Sequence, residues 1–175
     1  RVSNVNNYEK DLSKIVFNQG RDSILFVSAQ NERQDYNGKA LERISVYSQG
    51  NLIKTQKLNY TYTHSTDASN MLAFFTPSYS GSTFSKLFYR MYLSSVQEEK
   101  NGESLPPYVL TYNNSKALPS MFSSSQDYWG YYNGASNNGP FTRLFTYGNF
   151  EPNRRVDTIK SELGILKEIK YPTGG

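Results

Sequence analysis

Between residues 52 and 63 the side-chain character alternates. Leu52, Leu58, Tyr60 and Tyr62 fall on one parity, while Ile53, Thr55, Lys57, Asn59, Thr61 and Thr63 fall on the other. An extended chain sends successive side chains to opposite faces, so this run predicts a half-buried antiparallel strand with one apolar and one mainly polar face. Leu58 is then a core residue. Directly before it, Ile44-Ser45-Val46-Tyr47 leads into the turn formers Ser48-Gln49-Gly50-Asn51, and residues 41–62 read as a hairpin. Tyr108, Leu110 and Tyr112 alternate with Val109 and Thr111, and Ile24-Leu25-Phe26-Val27 has the length of a buried strand. Turn-rich stretches at 31–38, 63–70, 98–107, 113–126 and 132–140 mark the loops.

Two segments carry mixed signals. Phe84, Leu87, Phe88 and Met91 follow helical spacing behind Ser82, yet β-prone residues continue through Tyr89, Tyr92, Leu93 and Val96, and a strand from about Leu87 is the favoured reading. Val156, Ile159 and Leu163 share a helical face, with Asn153 placed to cap the start and Gly164 to end it. One short helix is therefore expected near 154–163. A loose repeat of the form Leu-x-x-[Ile/Val] recurs at Leu12, Leu41, Leu93 and Leu166 with irregular spacing, so it is not a solenoid array.

Composition agrees with the alternation. The 15 tyrosines, set among abundant turn-forming residues, point to an all-β chain with an extracytoplasmic character. At 175 residues the chain is one β-rich domain, 1–175, able to bury a core without disulfides. With no cysteine it has no thiol chemistry and no Cys-based zinc site. The net charge is +4, and its densest basic stretch interleaves Arg154, Arg155, Lys160, Lys167 and Lys170 with Asp157, Glu162 and Glu168. A phosphate-binding face would group its cations, so no nucleic-acid partner is expected. No window approaches the roughly 20 apolar residues of a transmembrane helix. The chain opens on Arg1 without an apolar leader, which suggests a processed protein or an excerpt of a longer one.

The C-terminal third is more specific. Asn101-Gly-Glu-Ser-Leu-Pro-Pro-Tyr108 is followed by the block Gln126-Asp-Tyr-Trp-Gly-Tyr-Tyr-Asn-Gly134 and by Gly164-Ile-Leu-Lys-Glu-Ile-Lys-Tyr-Pro-Thr-Gly-Gly175. This ordered set resembles the N-terminal portion of Bacteroidetes cell-surface proteins that carry Rhs (YD) repeats, over about residues 40–175. The resemblance implies an antiparallel meander, a curled sheet or a sandwich. It also implies a secreted or surface-anchored location, on the outer-membrane side of a Gram-negative cell, and a role as a structural segment whose partner is the rest of its own larger polypeptide. The self-cleavage signature at the far end of Rhs shells is missing, so no catalytic residue carries over.

Elsewhere the sequence offers no reactive centre. His64, Ser65 and Asp67 are neighbours in one loop, where they cannot readily face one another as a triad, and no nucleophile elbow is present. A lone His with scattered acids makes a poor metal site. Glycosidase chemistry needs two facing carboxylates. Glu151 or Asp157 would be the best guess, with Glu98 and Glu99 read as a solvated charge run. The expectation is a non-enzyme with no cofactor and no metal. The candidate ligand platform is Asp127, Tyr128, Trp129, Tyr131, Tyr132 and Asn133. Flat rings beside Asp and Asn suit a sugar, whose CH faces stack while its hydroxyls are hydrogen-bonded. Three readings stay open: the rings fill the core or cover a sheet edge, they bind glycan, or they dock a surface protein.

Overall fold

The computed structural model describes residues 11–67, 82–137 and 153–173. Eight strands form one antiparallel sheet: β1 (Lys14–Phe17), β2 (Asp22–Glu32), β3 (Lys39–Ser48), β4 (Asn51–His64), β5 (Tyr89–Lys100), β6 (Glu103–Ser104), β7 (Tyr108–Tyr112) and β8 (Leu166–Lys170). Their order is β1-β2-β3-β4-β5-β7-β8, with β6 paired to the end of β5. The chain is all-β, built largely as a meander. The expected hairpin is β3 and β4, closed where Gln49 and Gly50 both adopt positive φ, at 50° and 82°. The four Leu-x-x-[Ile/Val] copies run into or lie within β1, β3, β5 and β8.

Both mixed signals resolve locally. The helical spacing behind Ser82 gives a five-residue helix, α1 (Ser82–Lys86), and the β-prone run after it gives β5. The expected helix near 154–163 contracts to a single 3₁₀ turn over Lys160–Glu162. Asp157, not Asn153, organises it by accepting the amides of Ile159 and Lys160 at 3.2 and 3.0 Å. Val156 and Ile159 are exposed, so their spacing does not mark a buried face.

Direct cross-strand partners share a face. Ile15, Ile24 and Val46 form one row, and Phe26 and Ile44 continue into Gln56 and Glu98 on the next. Leu58 lies opposite Val96, and Val96 opposite Tyr108. This is the apolar face. On the other face Ser45 and Thr55 are buried partners whose hydroxyls meet at 3.1 Å. Yet Ile24, Phe26, Ile44, Val46 and Leu58 are only half-buried, and the buried hydrophobic residues among those described are Ala40 and Leu87. Leu58 is thus a partly covered sheet residue, not an enclosed one.

Among the described residues the two outermost strands expose apolar side chains, β1 with the single charge Lys14 and β8 mixing Leu166 and Ile169 with Lys167, Glu168 and Lys170. On β1 Ile15, Val16 and Phe17 are exposed, and Leu12 precedes them at 60% exposure. On β8 the same holds for Leu166 and Ile169, flanked by Ile165 and Tyr171. Among the described residues pairing covers one side of each: β1 meets β2 alone, and β8 meets β7 alone. The loop Arg33–Gly38 is fastened to β5 by Asp35, which receives Arg33 in a two-pronged ion pair at 2.9 and 2.8 Å and the Met91 amide at 3.3 Å. Burial pushes the Asp35 carboxyl up, but the Arg33 guanidinium outweighs this and holds it below the ordinary aspartate range.

Candidate functional site

Residues 113–137 and 153–165 form a loop layer at the β7–β8 end of the sheet. Backbone bonds tie the layer to itself: the Asn113 amide reaches the Ile165 carbonyl and the Gly164 amide reaches the Asn113 carbonyl, both at 2.9 Å. Gly164 has φ +78°, and a Cβ there would lie 2.9 Å from Leu118 Cδ1 and 3.0 Å from the Tyr92 hydroxyl. Only glycine passes over that pair without displacing it.

Inside the layer, polar side chains replace an apolar core. Ser120, Ser123, Ser124, Ser125, Asp127, Asn133, Asn137 and Arg154 are all buried. Burial of this kind is tolerable where hydrogen bonds are made, and the Ser120 hydroxyl is the exception, buried with no partner among the described residues. Asn137 donates to the carbonyls of Ser124 and Asn153 at 3.1 and 3.0 Å and accepts the Asn153 amide at 2.8 Å. Asn133 donates to the carbonyls of Asn153 and Arg155 at 2.9 and 3.1 Å. Arg154 reaches the carbonyls of Ser124 and Gln126 at 3.0 and 2.7 Å, and burial lowers its pKa from the ordinary arginine range. The side chains of Asn133, Asn137 and Arg154 therefore stitch two segments that lie far apart in sequence.

The six platform residues divide on this knot. Asp127 and Asn133 are buried polar anchors, each about 5% exposed. Between them Tyr128, Trp129 and Tyr131 project outward at 75%, 81% and 54% exposure, and Tyr132 is half-buried. The Asp127 carboxylate accepts the amides of Trp129 and Tyr131 at 2.8 and 3.0 Å, and the Asp127 amide donates to the Tyr131 carbonyl at 2.9 Å. Gly130 turns the tip at φ +90°. A bridge between Gln126 and Tyr132 closes the loop. The core-filling reading of these rings is therefore corrected: the carboxylate satisfies the backbone from inside, which turns the rings outward.

Beside the tip lies a groove of about 400 Å³, lined by Asn133, Gly134, Arg155, Val156, Asp157 and Lys160 among others. Gly134, with φ +63°, leaves room for the Lys160 stem, whose Cδ would lie 2.5 Å from a Cβ at that position. Lys160 pairs with Asp157 at 3.1 Å. Asp157 is held below its ordinary range by the Lys160 amide and by the Lys160 ammonium.

The other candidates are placed separately. His64 ends β4 with its ring 4.4 Å from that of Tyr89, while the Ser65 hydroxyl accepts the Asp67 amide at 3.1 Å as a local turn. These contacts are structural. Glu98 and Glu99 are adjacent on β5 and so point to opposite faces, where Glu98 meets Lys54 and Gln56 and Glu99 meets Lys57. Glu151 lies outside the described residues. Among the described residues no group of three or more metal-ligating side chains is assembled, and no helix is long and apolar enough to cross a membrane. What sequence reasoning missed is the anchoring set Asn137, Arg154 and the serines Ser123, Ser124 and Ser125. Comparison with known proteins gave no matching family model, no matching curated protein and no matching solved structure.

Proposed function

We propose that this chain is a non-catalytic, β-rich structural segment of a secreted or surface-anchored protein of the Rhs/YD-repeat type, contributing strands to a larger β-assembly. One observation supports the reading: among the described residues β1 and β8 each pair on one side alone and expose apolar side chains, and the buried hydrophobics are only Ala40 and Leu87. An exposed apolar edge strand is a template for further pairing unless charge or covering blocks it. On β1 the only charge is Lys14, whereas β8 carries Lys167, Glu168 and Lys170 between its exposed apolar residues, so β1 is the less guarded edge. The sheet gains burial and backbone hydrogen bonds when another segment lies along either edge.

The chain contains no cysteine, so single thiols report cleanly. Val16→Cys on β1 and Ile169→Cys on β8 are expected to react rapidly with a maleimide in the isolated chain and to be protected in the intact polypeptide at the cell surface. Equal reactivity in both settings would contradict the proposal.

A further inference from the structure

We infer that the tip Tyr128-Trp129-Gly130-Tyr131 and the adjoining groove form a binding site for β-linked pyranose oligosaccharides. This goes beyond the scaffold reading and rests on different residues.

Three features combine. First, the rings are presented on a loop whose backbone is already fixed by Asp127, so little ordering entropy is lost when a ligand stacks on them. Indole and phenol faces exposed to water are poor solvent contacts but good partners for the flat CH faces of pyranoses with equatorial hydroxyls. Second, the chain runs directly from Tyr131 to Gly134 in the groove, a reach of about 10 Å at most. A short oligosaccharide touching the tip is long enough to reach the groove. Third, the groove sets an acceptor, Asp157, beside donors, Arg155 and Lys160, with Thr158 able to act as either. A hydroxyl donates and accepts at once, which suits this mixture. Arg155 opposes a cation, and the Asp157–Lys160 pair offers a hydroxyl an acceptor and a donor side by side. A stable protein interface buries about 800 Å² on each partner, far more than a three-ring tip bordered by polar groups offers.

The sole tryptophan stands at the site, so its emission reads binding directly. The whole chain is titrated with cellohexaose, xylohexaose and mannohexaose, with calorimetry in parallel. At least one is expected to give a saturable shift, about tenfold weaker in Trp129→Ala and largely retained in Trp129→Phe. Asp127→Ala is expected to weaken binding while leaving all three rings in the sequence, and Asp127→Asn, which keeps an acceptor oxygen, to preserve it. Circular dichroism confirms that each variant is folded. The inference is overturned if none of the three sugars gives saturable heat or emission change. It is equally overturned if Trp129→Ala binds as tightly as the parent, or if the tip partitions into phosphatidylcholine/phosphatidylglycerol vesicles and ignores all three sugars.

Discussion

Asp127 Oδ1 receives the Trp129 amide at 2.8 Å, and through that bond a buried carboxylate holds the chain's only tryptophan out in solvent. The emission of Trp129 is therefore expected to match free indole in water and to be fully open to acrylamide. A blue-shifted, shielded emission would mean that the ring is packed. Asp127→Ala removes an acceptor shared by two amides and should cost about 1–3 kcal/mol in chemical denaturation, whereas Asp127→Asn should cost less.

Gly164 and Gly50 separate two consequences of the same backbone geometry. Both have positive φ, but an added Cβ meets Leu118 and Tyr92 at Gly164 and open space at Gly50. Gly50→Ala should cost about 1 kcal/mol, the strain of a left-handed alanine alone. Gly164→Ala should cost more, about 2–3 kcal/mol, because the loop layer must also shift. Equal losses would show that the close approach at Gly164 has no energetic weight.

Leu58→Ala tests how the sheet is covered. An enclosed leucine would lose about 2–5 kcal/mol on truncation. Leu58 is only half-buried, and a loss of about 1–2 kcal/mol is expected in urea unfolding of the isolated chain.

Acid should loosen the loop that Asp35 fastens to β5. Its folded pKa lies below the ordinary 3.8, so its contribution is present above that value and is lost as pH falls through the lower, folded one. Stability is expected to hold near neutrality and to decline below about pH 4. In Asp35→Asn that decline should be shallower, with a lower starting stability. An unchanged acid limb in the variant would remove Asp35 from the account.

The strands were legible wherever one face differs from the other. The β3–β4 hairpin follows from alternation and the Gln49-Gly50 turn, and the split of 82–100 into α1 and β5 was present as two overlapping patterns. β1 gave no such signal, because all four of its residues are exposed. Asn101-Gly102, both at positive φ, is a hairpin dipeptide that marks the turn into β6, within a stretch read as loop. The spacing of Val156, Ile159 and Leu163 suggested a helix, but apolar spacing predicts one only when the shared face is buried. At the site, Asp127 and Gly130 bracketing Trp129 form a legible turn signal. The knot was not legible, since Asn137 and Arg154 find partners 13 to 30 residues away with no periodic trace.

The central proposal is that the outer sides of β1 and β8, unpaired among the described residues, are where another segment pairs. Amide hydrogen exchange on the isolated chain and on the intact polypeptide measures this directly. The account predicts that the amides of β1 and β8 facing away from β2 and β7 exchange at nearly unprotected rates in the isolated chain and become strongly protected in the intact polypeptide, while β3 and β4 are protected in both. Outer-edge amides that exchange equally fast in both would contradict it.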